Sequence, residues 1–245
     1  MSLKSDKHFS YLKKSYNQVS SLTWKNDDFV QSSLNNSRNL FTNQSIALGQ
    51  PKPKKLEVYA LLSGLPFSKE LIEKLVEIQN RITDLINPAL HYWVLPSNFG
   101  VEYCVFKWPD EIWNQSWLLP IGQELSSLKN SSFLFTIRGV QVNPDGCIVA
   151  KGYDENRMIF NIRKNLQSNL KFFPKKQSGW CHIPIGRILE PIGSAKFKKL
   201  ESFINKISDI IIFEEIINSV KFVHETCWYM EEKFILSEFY FKSKK

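Results

Sequence analysis

The alternation of hydrophobic and polar residues predicts strands and helices in turn along the first half of the chain. Residues 57–64 form a short aliphatic run closed by Gly-Leu-Pro, which is typical of a strand. In residues 68–86, apolar side chains recur every three or four positions after a capping serine, which predicts an amphipathic helix. Two aromatic strands, at 90–95 and 101–108, and a helical stretch around 123–129 complete this half.

The second half of the chain repeats this order of elements. Apolar segments 133–142 and 147–152 flank an Asn-Pro-Asp-Gly turn, in which proline presets one dihedral angle and glycine accepts a positive one, so a hairpin is predicted. The other predicted elements of this half are helices at 155–170 and 195–207 and strands at 181–188, 216–224 and 233–241. Two strand-helix-strand lobes of similar size predict an α+β fold with antiparallel sheets.

Positive charge is concentrated at the start of the chain. Residues 1–55 hold nine Lys or Arg and three Asp, which gives +6 of the net charge of +8. This segment is rich in Ser, Asn and Gln and ends in GQPKPKK, a composition that favours a linker. We therefore predict a basic polar extension at 1–55 and a bilobal domain at 56–245, with lobes at about 56–130 and 131–245.

Three interpretations of the basic extension remain open at this stage. Its polar composition is typical of a flexible tail. Spaced aromatic and leucine residues in HFSYLKKSYNQV and DDFVQSSLNNSRNLF are also compatible with one or two short helices docked on the domain. A cationic arm would in addition lower the free energy of approaching nucleic acid phosphates.

Composition and motif spacing exclude several function classes. The longest apolar stretches, such as residues 209–217, are far shorter than the roughly 20 residues of a membrane span, so no membrane partner is expected. The first 14 residues show no secretory signal, which makes a reducing cytoplasm the default location. No glycine-rich phosphate loop follows a strand, which argues against Rossmann and P-loop nucleotide binding. We expect a monomer.

Cysteine and histidine spacing offers no site for a metal or a redox centre. The chain has no CxxC pair, and no two cysteines or histidines have the spacing of metal ligands. We therefore expect neither a metal nor a cofactor and interpret the cysteines as small core residues. The four cysteines are Cys104, Cys147, Cys181 and Cys227.

His182 is the histidine whose setting indicates a function. In the strand at 181–188, period-two alternation places His182, Pro184 and Gly186 on one face and Arg187 on the other. A titratable group at the head of a face of small residues is typical of a groove floor. Arg187, pointing away from His182, is then more often a structural ion-pair partner than a phosphate ligand.

The remaining histidines have settings that favour structural roles. His91 begins a strand and shares one face with Trp93 two residues later, which favours packing over catalysis. His8 lies in the polar extension, and His224 lies at a strand end beside Glu225. Both settings are typical of solvated or hydrogen-bonded side chains.

The second half resembles the carboxyl-terminal lobe of the 2H phosphoesterases, the superfamily of 2′-5′ RNA ligase-like proteins and cyclic phosphodiesterases. The matching segments are TIRGV at 136–140, the turn at 143–146, FNIRKNL around Arg163, and HIPIGRI at 182–188 followed by two strands. In the first half, HYWVLPSN is similar to the family's Trp-Val-x-Pro segment. The resemblance covers about 56–241 and implies a 2H-like arrangement of two lobes around a central groove.

The resemblance implies metal-free acid–base chemistry with one His-x-Thr/Ser motif from each lobe. A neutral and a protonated imidazole would share the proton transfers near pH 7. His182 matches the second histidine, but Pro184 stands at the substrate-binding position of the hydroxyl residue and offers no donor. The first motif falls on GVEYC, where Gly100 or Glu102 replaces the histidine. His91 precedes this position by about ten residues.

These departures leave three functional hypotheses. The first is a divergent phosphoesterase that opens a cyclic phosphate or phosphodiester, with catalytic His182 and either His91 or Glu102 as the second group. Tyr103 and Lys107 are candidates for substrate contacts, as is Arg187. The second is a binding module for a nucleotide or RNA phosphate that has lost catalysis. The third is a structural or protein-interaction role in which the many aromatic residues are all core.

Overall fold

The computed structural model describes residues 7–243, which form an α+β fold as predicted. The helices are α1 (Lys7–Thr23), α2 (Gln31–Arg38), α3 (Asn43–Ala47), α4 (Lys69–Ile86), α5 (Leu118–Ser126), α6 (Met158–Asn169) and α7 (Ser194–Ile207). The strands are β1 (Lys55–Gly64), β2 (His91–Trp93), β3 (Gly100–Lys107), β4 (Phe133–Val142), β5 (Cys147–Asp154), β6 (Ile183–Ile188), β7 (Ile211–Ile217), β8 (Ser219–Cys227) and β9 (Glu232–Tyr240). None of these seven helices has the length and apolar character that crossing a bilayer requires.

The strands form two antiparallel sheets. Sheet 1 has the order β3-β1-β8-β9, and sheet 2 has the order β2-β6-β5-β4-β7. Helix α6 packs beside β3 and α5 beside β9, whereas α4 and α7 pack together on sheet 2. The prediction of two sheets with packed helices is therefore confirmed.

Each sheet takes strands from both halves of the sequence. Strand β2, from the predicted lobe at 56–130, pairs with β6 in sheet 2. Strands β8 and β9, from the predicted lobe at 131–245, complete sheet 1 through the pairing of β8 with β1. The chain thus crosses between the sheets more than once, and the domain boundaries at 55 and 130 stay predictions.

Two element predictions require correction. The single strand predicted at 216–224 is two strands in different sheets, because Ile217 pairs with Phe133 in sheet 2 whereas Ser219 pairs with Tyr240 in sheet 1. Only Asn218 separates them, and no glycine or proline marks the crossover. The helix predicted at 123–129 begins earlier, at Leu118, because a proline is tolerated in the first helical turn.

The amino-terminal segment is docked on the rest of the molecule through residues 7–47. Helix α1 buries Phe9, Leu12 and Tyr16, and α2 buries Leu34. Phe41 is fully buried and forms a backbone bridge with Pro53. Among the interpretations of this segment, the structure therefore has the docked helices in residues 7–47.

Two clusters of buried apolar side chains make the core. The larger extends from the amino-terminal helices through both sheets. The smaller covers one face of sheet 1 and includes Val58, Ala60, Leu62, Val105 and Val223. This face of sheet 1 borders the pocket described next, since Leu62 belongs to both.

Candidate functional site

A pocket of about 350 Å³ lies where the two sheets meet. Sheet 1 contributes Leu62, Glu102 and Glu225 to its lining, and the segment leading into and along β6 contributes His182, Pro184 and Arg187. Four of the residues singled out from the sequence, Glu102, His182, Pro184 and Arg187, are thus brought together in one place. They come from strands of different sheets, as the predicted central groove requires.

His182 lies one residue before β6, half-buried in the pocket wall. Its Nδ1 atom is buried and has no hydrogen-bond partner in residues 7–243. The Trp180 ring lies edge-on to the imidazole, with 5.6 Å between the ring centroids. Burial, together with the positive charge of Arg187, lowers the pKa of His182 to about 4. The imidazole is therefore neutral at pH 7 and a weak base.

Glu102 projects from β3 into the same pocket. Burial raises the pKa of its carboxyl group to about 7, although the charge of Arg163 acts in the opposite direction. Within residues 7–243 its carboxylate accepts no hydrogen bond. Glu102 is therefore a carboxyl group that exchanges a proton near neutral pH and has an open side toward the pocket.

Glu225 is a pocket residue that the sequence analysis did not single out. It lies on β8, is 4% exposed, and accepts a hydrogen bond of 2.9 Å from the backbone N–H of Met230. Burial raises the pKa of its carboxyl group to about 7, and repulsion from Glu102 acts in the same direction. The sequence indicated Glu225 only weakly, as an acidic residue two positions after Val223 on a strand face that is otherwise apolar.

Arg187 lines the pocket, which corrects the expectation that it points away from His182. In the pairing of β5 with β6, Ile148 lies opposite Gly186 but Val149 lies opposite Pro184, so Ile185 is an extra residue. A β-bulge of this kind breaks the two-residue alternation of side chains. The bulge therefore brings Arg187 to the pocket together with Pro184.

The guanidinium group of Arg187 is partly occupied by protein partners. Its Nη1 atom donates to Asp145 Oδ2 at 2.8 Å and also to Ser37 Oγ, and its Nε atom donates to the hydroxyl of Tyr229. The Nη2 atom donates no hydrogen bond to any residue in 7–243. Arg187 is thus an ion-pair partner, as the sequence indicated, that keeps one N–H edge for a ligand.

Two positions that resemble catalytic ones carry no useful side chain. Pro184 lines the pocket at the place where the resemblance expects a hydroxyl residue, and Gly100 lines it at one of the two places, Gly100 or Glu102, where the resemblance expects the first histidine. Glycine has no side chain, and proline donates no hydrogen bond. The pocket therefore contains one imidazole, two carboxyl groups and one guanidinium group.

Three of the predicted site residues are not among the described residues that line this pocket. His91 has Nδ1 2.7 Å from the carbonyl oxygen of Ala89. Tyr103 is fully buried in the larger cluster and accepts a hydrogen bond from Ser63. Lys107 donates to the carbonyl of Glu57 at 2.9 Å. Their catalytic or substrate-contacting roles therefore stay predictions.

Aromatic residues and one loop form the pocket's side walls. Trp108, Trp180, Trp228 and Tyr229 all line it. The loop that ends at Trp180 is held against β3 by Gln177, whose side-chain amide both donates to and accepts from the backbone of Val105. Among the described side chains of residues 7–243, which leave out that of Glu155, no cluster of three or more His, Cys, Asp or Glu is arranged to hold a metal ion.

The fold is similar to those of several solved structures. Apo LigT of E. coli superposes with a TM-score of 0.55 at 8% identity, TT0787 of Thermus thermophilus with 0.54 at 15%, and a protein described as a phosphoesterase with 0.53 at 11%. These matches cover 77%, 78% and 77% of this chain and 99%, 100% and 99% of the other chains. No protein-family model and no curated protein matches the sequence.

Complexes of E. coli LigT are similar to this chain as well. Its complexes with phosphate and with 3′-AMP each superpose with a TM-score of 0.51 at 9% identity. At these identities the likeness shows the fold. The predicted 2H phosphoesterase-like fold is therefore confirmed.

Proposed function

We propose that this 2H phosphoesterase-like chain binds a nucleotide or an RNA end in the pocket without efficient turnover. The observation that carries the proposal is the composition of the pocket. Arg187 keeps a free N–H edge among aromatic side chains, whereas Pro184 replaces the expected hydroxyl residue and either Gly100 or Glu102 replaces the expected first histidine. The phosphate and 3′-AMP complexes of E. coli LigT support the same ligand class.

The electrostatics of the pocket also favour binding over catalysis. A well-placed proton-transfer group contributes about 10² to 10⁴ in rate, and the expected second imidazole is absent from the pocket lining within residues 7–243. The pKa of His182, about 4, leaves it unable to donate a proton at pH 7. Aromatic walls, in contrast, bind bases by stacking without any need for proton transfer.

Calorimetric titration with 3′-AMP and with a short RNA tests the proposal. We expect binding that weakens as salt rises, because phosphate contacts release counterions. Arg187→Lys keeps the charge but removes the planar fork, and Arg187→Gln removes both, so affinity should fall by about tenfold or more in the second variant.

The matched control is Arg81→Gln, a change on α4 well away from the pocket lining. It should bind like the wild type. Circular dichroism checks that each variant is folded. Absence of binding for every nucleotide and RNA tried, or equal affinity in the wild type and in both Arg187 variants, would contradict the proposal.

A second candidate function is a divergent phosphoesterase with His182 and Glu102 as its proton-transfer pair. The observation that favours it is that both side chains line one pocket and that burial raises the pKa of Glu102 to about 7. A protonated Glu102 repels a phosphodiester less than an ionised one and can donate to a leaving oxygen.

Incubation with 2′,3′-cyclic nucleotides tests this second candidate. Any turnover should fall by about 10² or more in His182→Ala and in Glu102→Gln. The control variant is His91→Ala, because that imidazole belongs to β2 and is not among the described residues lining the pocket. Turnover that persists unchanged in His182→Ala rules out the assigned pair.

A further inference from the structure

Several polar groups of the pocket have no partner in residues 7–243. The side-chain nitrogen Nδ2 of Asn98 and the Nδ1 atom of His182 are buried without a hydrogen bond. Because a buried polar group without a partner costs free energy, these two atoms indicate a ligand that supplies hydrogen bonds. Glu102 is half-buried, and its carboxylate, which accepts no hydrogen bond from residues 7–243, is an open acceptor in the same pocket lining.

The orientation of the Asn98 amide is determined by its neighbours. Lys233 Nζ donates to Asn98 Oδ1 at 2.7 Å, and Ser97 Oγ donates to the same oxygen at 3.2 Å. Two donors on one atom identify it as the oxygen, which leaves Nδ2 as a donor. The pocket therefore offers a donor at Asn98, 6% exposed, and an acceptor at Glu102.

A phosphate group does not complement this pair. Phosphate oxygens accept hydrogen bonds, so they serve Asn98 or Arg187 but offer no donor to the Glu102 carboxylate, and they are repelled by its ionised form. Glu225 adds a second carboxyl group, and Asp145 offsets the charge of Arg187. The pocket lining therefore carries no excess of positive charge that would attract a phosphate. Lys176 is not in the lining; its Nζ atom lies 5.2 Å from the centroid of the Trp108 ring.

We infer, building on the proposed nucleotide binding, that the pocket recognises the edge of a nucleobase, and that this base is guanine. The Watson–Crick edge of guanine places two N–H donors beside one carbonyl acceptor. Glu102 is the partner for the N–H donors, because a carboxylate accepts two bonds side by side, and Asn98 Nδ2 is the partner for the carbonyl. Trp180 and Tyr229 provide flat surfaces on which the ring stacks.

Titration of the wild-type protein with guanosine, inosine, adenosine and inorganic phosphate tests this inference. Guanosine should bind about tenfold more tightly than adenosine, which lacks the N–H donors at these positions. Inosine, which keeps the ring N–H and the carbonyl but lacks the amino group, should lie between them. Inorganic phosphate should bind more weakly than guanosine.

Two variants extend the test. Glu102→Gln should reduce guanosine affinity about tenfold and remove the preference over adenosine, whereas Glu77→Gln, on the exposed side of α4, should change neither. Equal affinity for guanosine and adenosine in the wild-type protein overturns the inference even if Glu102→Gln fails to fold. If 3′-AMP and RNA bind while guanosine does not, base recognition is wrong and nucleotide binding stands; if none binds, both are wrong.

Discussion

The ionisable side chains of the pocket have pKa values that burial displaces in opposite directions. Burial raises the pKa of Glu102 and Glu225 to about 7 and lowers that of His182 to about 4. In each case the neutral form is favoured, because a charge loses hydration when it is buried. At neutral pH the pocket therefore holds less charge than its residue types indicate.

The raised pKa of Glu225 makes stability depend on pH with a defined sign. Between its usual value of about 4.5 and its folded value of about 7, the folded protein binds the proton that the unfolded chain releases, so stability falls as pH rises through this window. Glu225→Gln keeps an acceptor for Met230 and removes the titration. We expect urea denaturation to show a stability loss from pH 5 to 8 that is about 2 kcal/mol smaller in this variant than in the wild type, because the raised pKa of Glu102 gives both proteins a further loss of the same sign.

His182 makes stability depend on pH in the opposite direction, which provides a check on this interpretation. Its folded pKa is below the usual 6.5, so the unfolded chain binds the proton first and stability falls as pH drops from 6.5 to 4. His182→Gln should flatten that limb only. Glu77→Gln, which changes an exposed carboxylate, should leave both slopes as in the wild type. Identical pH profiles for wild type and Glu225→Gln would contradict the assignment.

At the scale of elements, helix α1 supports a wall of the pocket. The indole N–H of Trp180 donates to Ser15 Oγ at 2.8 Å, and the Trp180 ring contacts Tyr16, with 4.8 Å between centroids. We expect Ser15→Ala to destabilise the protein by about 1 kcal/mol and to weaken nucleotide binding a few-fold, because Trp180 loses its partner. Thermal unfolding and titration with 3′-AMP measure these effects.

The control for this prediction lies on the same helix. Ser10 is exposed, so Ser10→Ala should leave stability and binding unchanged. The indole N–H resonance of Trp180 should shift in the Ser15 variant and not in the Ser10 variant. If Ser15→Ala and Ser10→Ala had the same stability, 3′-AMP affinity and Trp180 indole resonance, α1 would not support the pocket wall.

Strand β5 approaches the segment before β6 so closely that only glycine fits at one position. A Cβ atom on Gly152 would lie 1.9 Å from the carbonyl oxygen of Cys181 and 2.3 Å from Phe135 Cζ. Gly152→Ala should therefore cost about 1 to 3 kcal/mol and displace His182, the next residue after Cys181. Thermal unfolding and 3′-AMP titration measure the two effects.

Gly122 provides the matched substitution, since a Cβ atom there meets nothing within 4 Å and the residue lies within α5. Gly122→Ala should stabilise the protein by about 0.5 to 1 kcal/mol. Opposite signs for the two glycine substitutions are expected. If Gly152→Ala and Gly122→Ala lowered stability by the same amount, close packing at Gly152 would not be the cause of its loss of stability.

Elements with strong local signals could be predicted from the sequence. Helix α4 was predictable from its apolar spacing and from Ser68, whose hydroxyl caps the helix by accepting a hydrogen bond from the N–H of Leu71. The β4–β5 hairpin was predictable from its Asn-Pro-Asp-Gly turn, in which Gly146 has a positive φ. The crossover at Asn218 has no such signal, because no glycine or proline marks the point where β7 ends and β8 begins. Which sheet a strand joins is decided by distant pairing partners.

At the scale of the whole molecule, the two sheets are interdependent. Sheet 1 needs β8 and β9 from late in the chain, and sheet 2 needs β2 from early in it. Gln79 of α4 adds hydrogen bonds to the carbonyls of Val94 and Ile185 at 3.0 and 2.8 Å. We expect one cooperative unfolding transition, with coincident urea curves from tryptophan fluorescence and circular dichroism.

Fragments provide the complementary measurement. Residues 56–130 alone lack the strands that complete sheet 1, so this fragment should show no cooperative transition. A cooperatively folded fragment, or two separate transitions in the full chain, would show that the sheets are independent units.

The pocket could be predicted in part, for reasons that also belong to the whole molecule. Strand alternation and the family resemblance indicated His182, Pro184 and Glu102. The side on which Arg187 lies depends on a bulge set by pairing with β5, and Glu225 reaches the pocket only because β8 lies beside β1. Neither contact is encoded within a few residues of the side chain concerned.

The interleaving of strands also has a consequence for synthesis on the ribosome. Strand β1 emerges early, but its neighbour β8 is made more than 150 residues later, which at about 5 to 20 residues per second is a delay of roughly 8 to 30 seconds. During that interval one edge of a nascent apolar strand has no native partner. Until β8 is made, that edge is open to pairing with another polypeptide, and faster translation shortens the exposure.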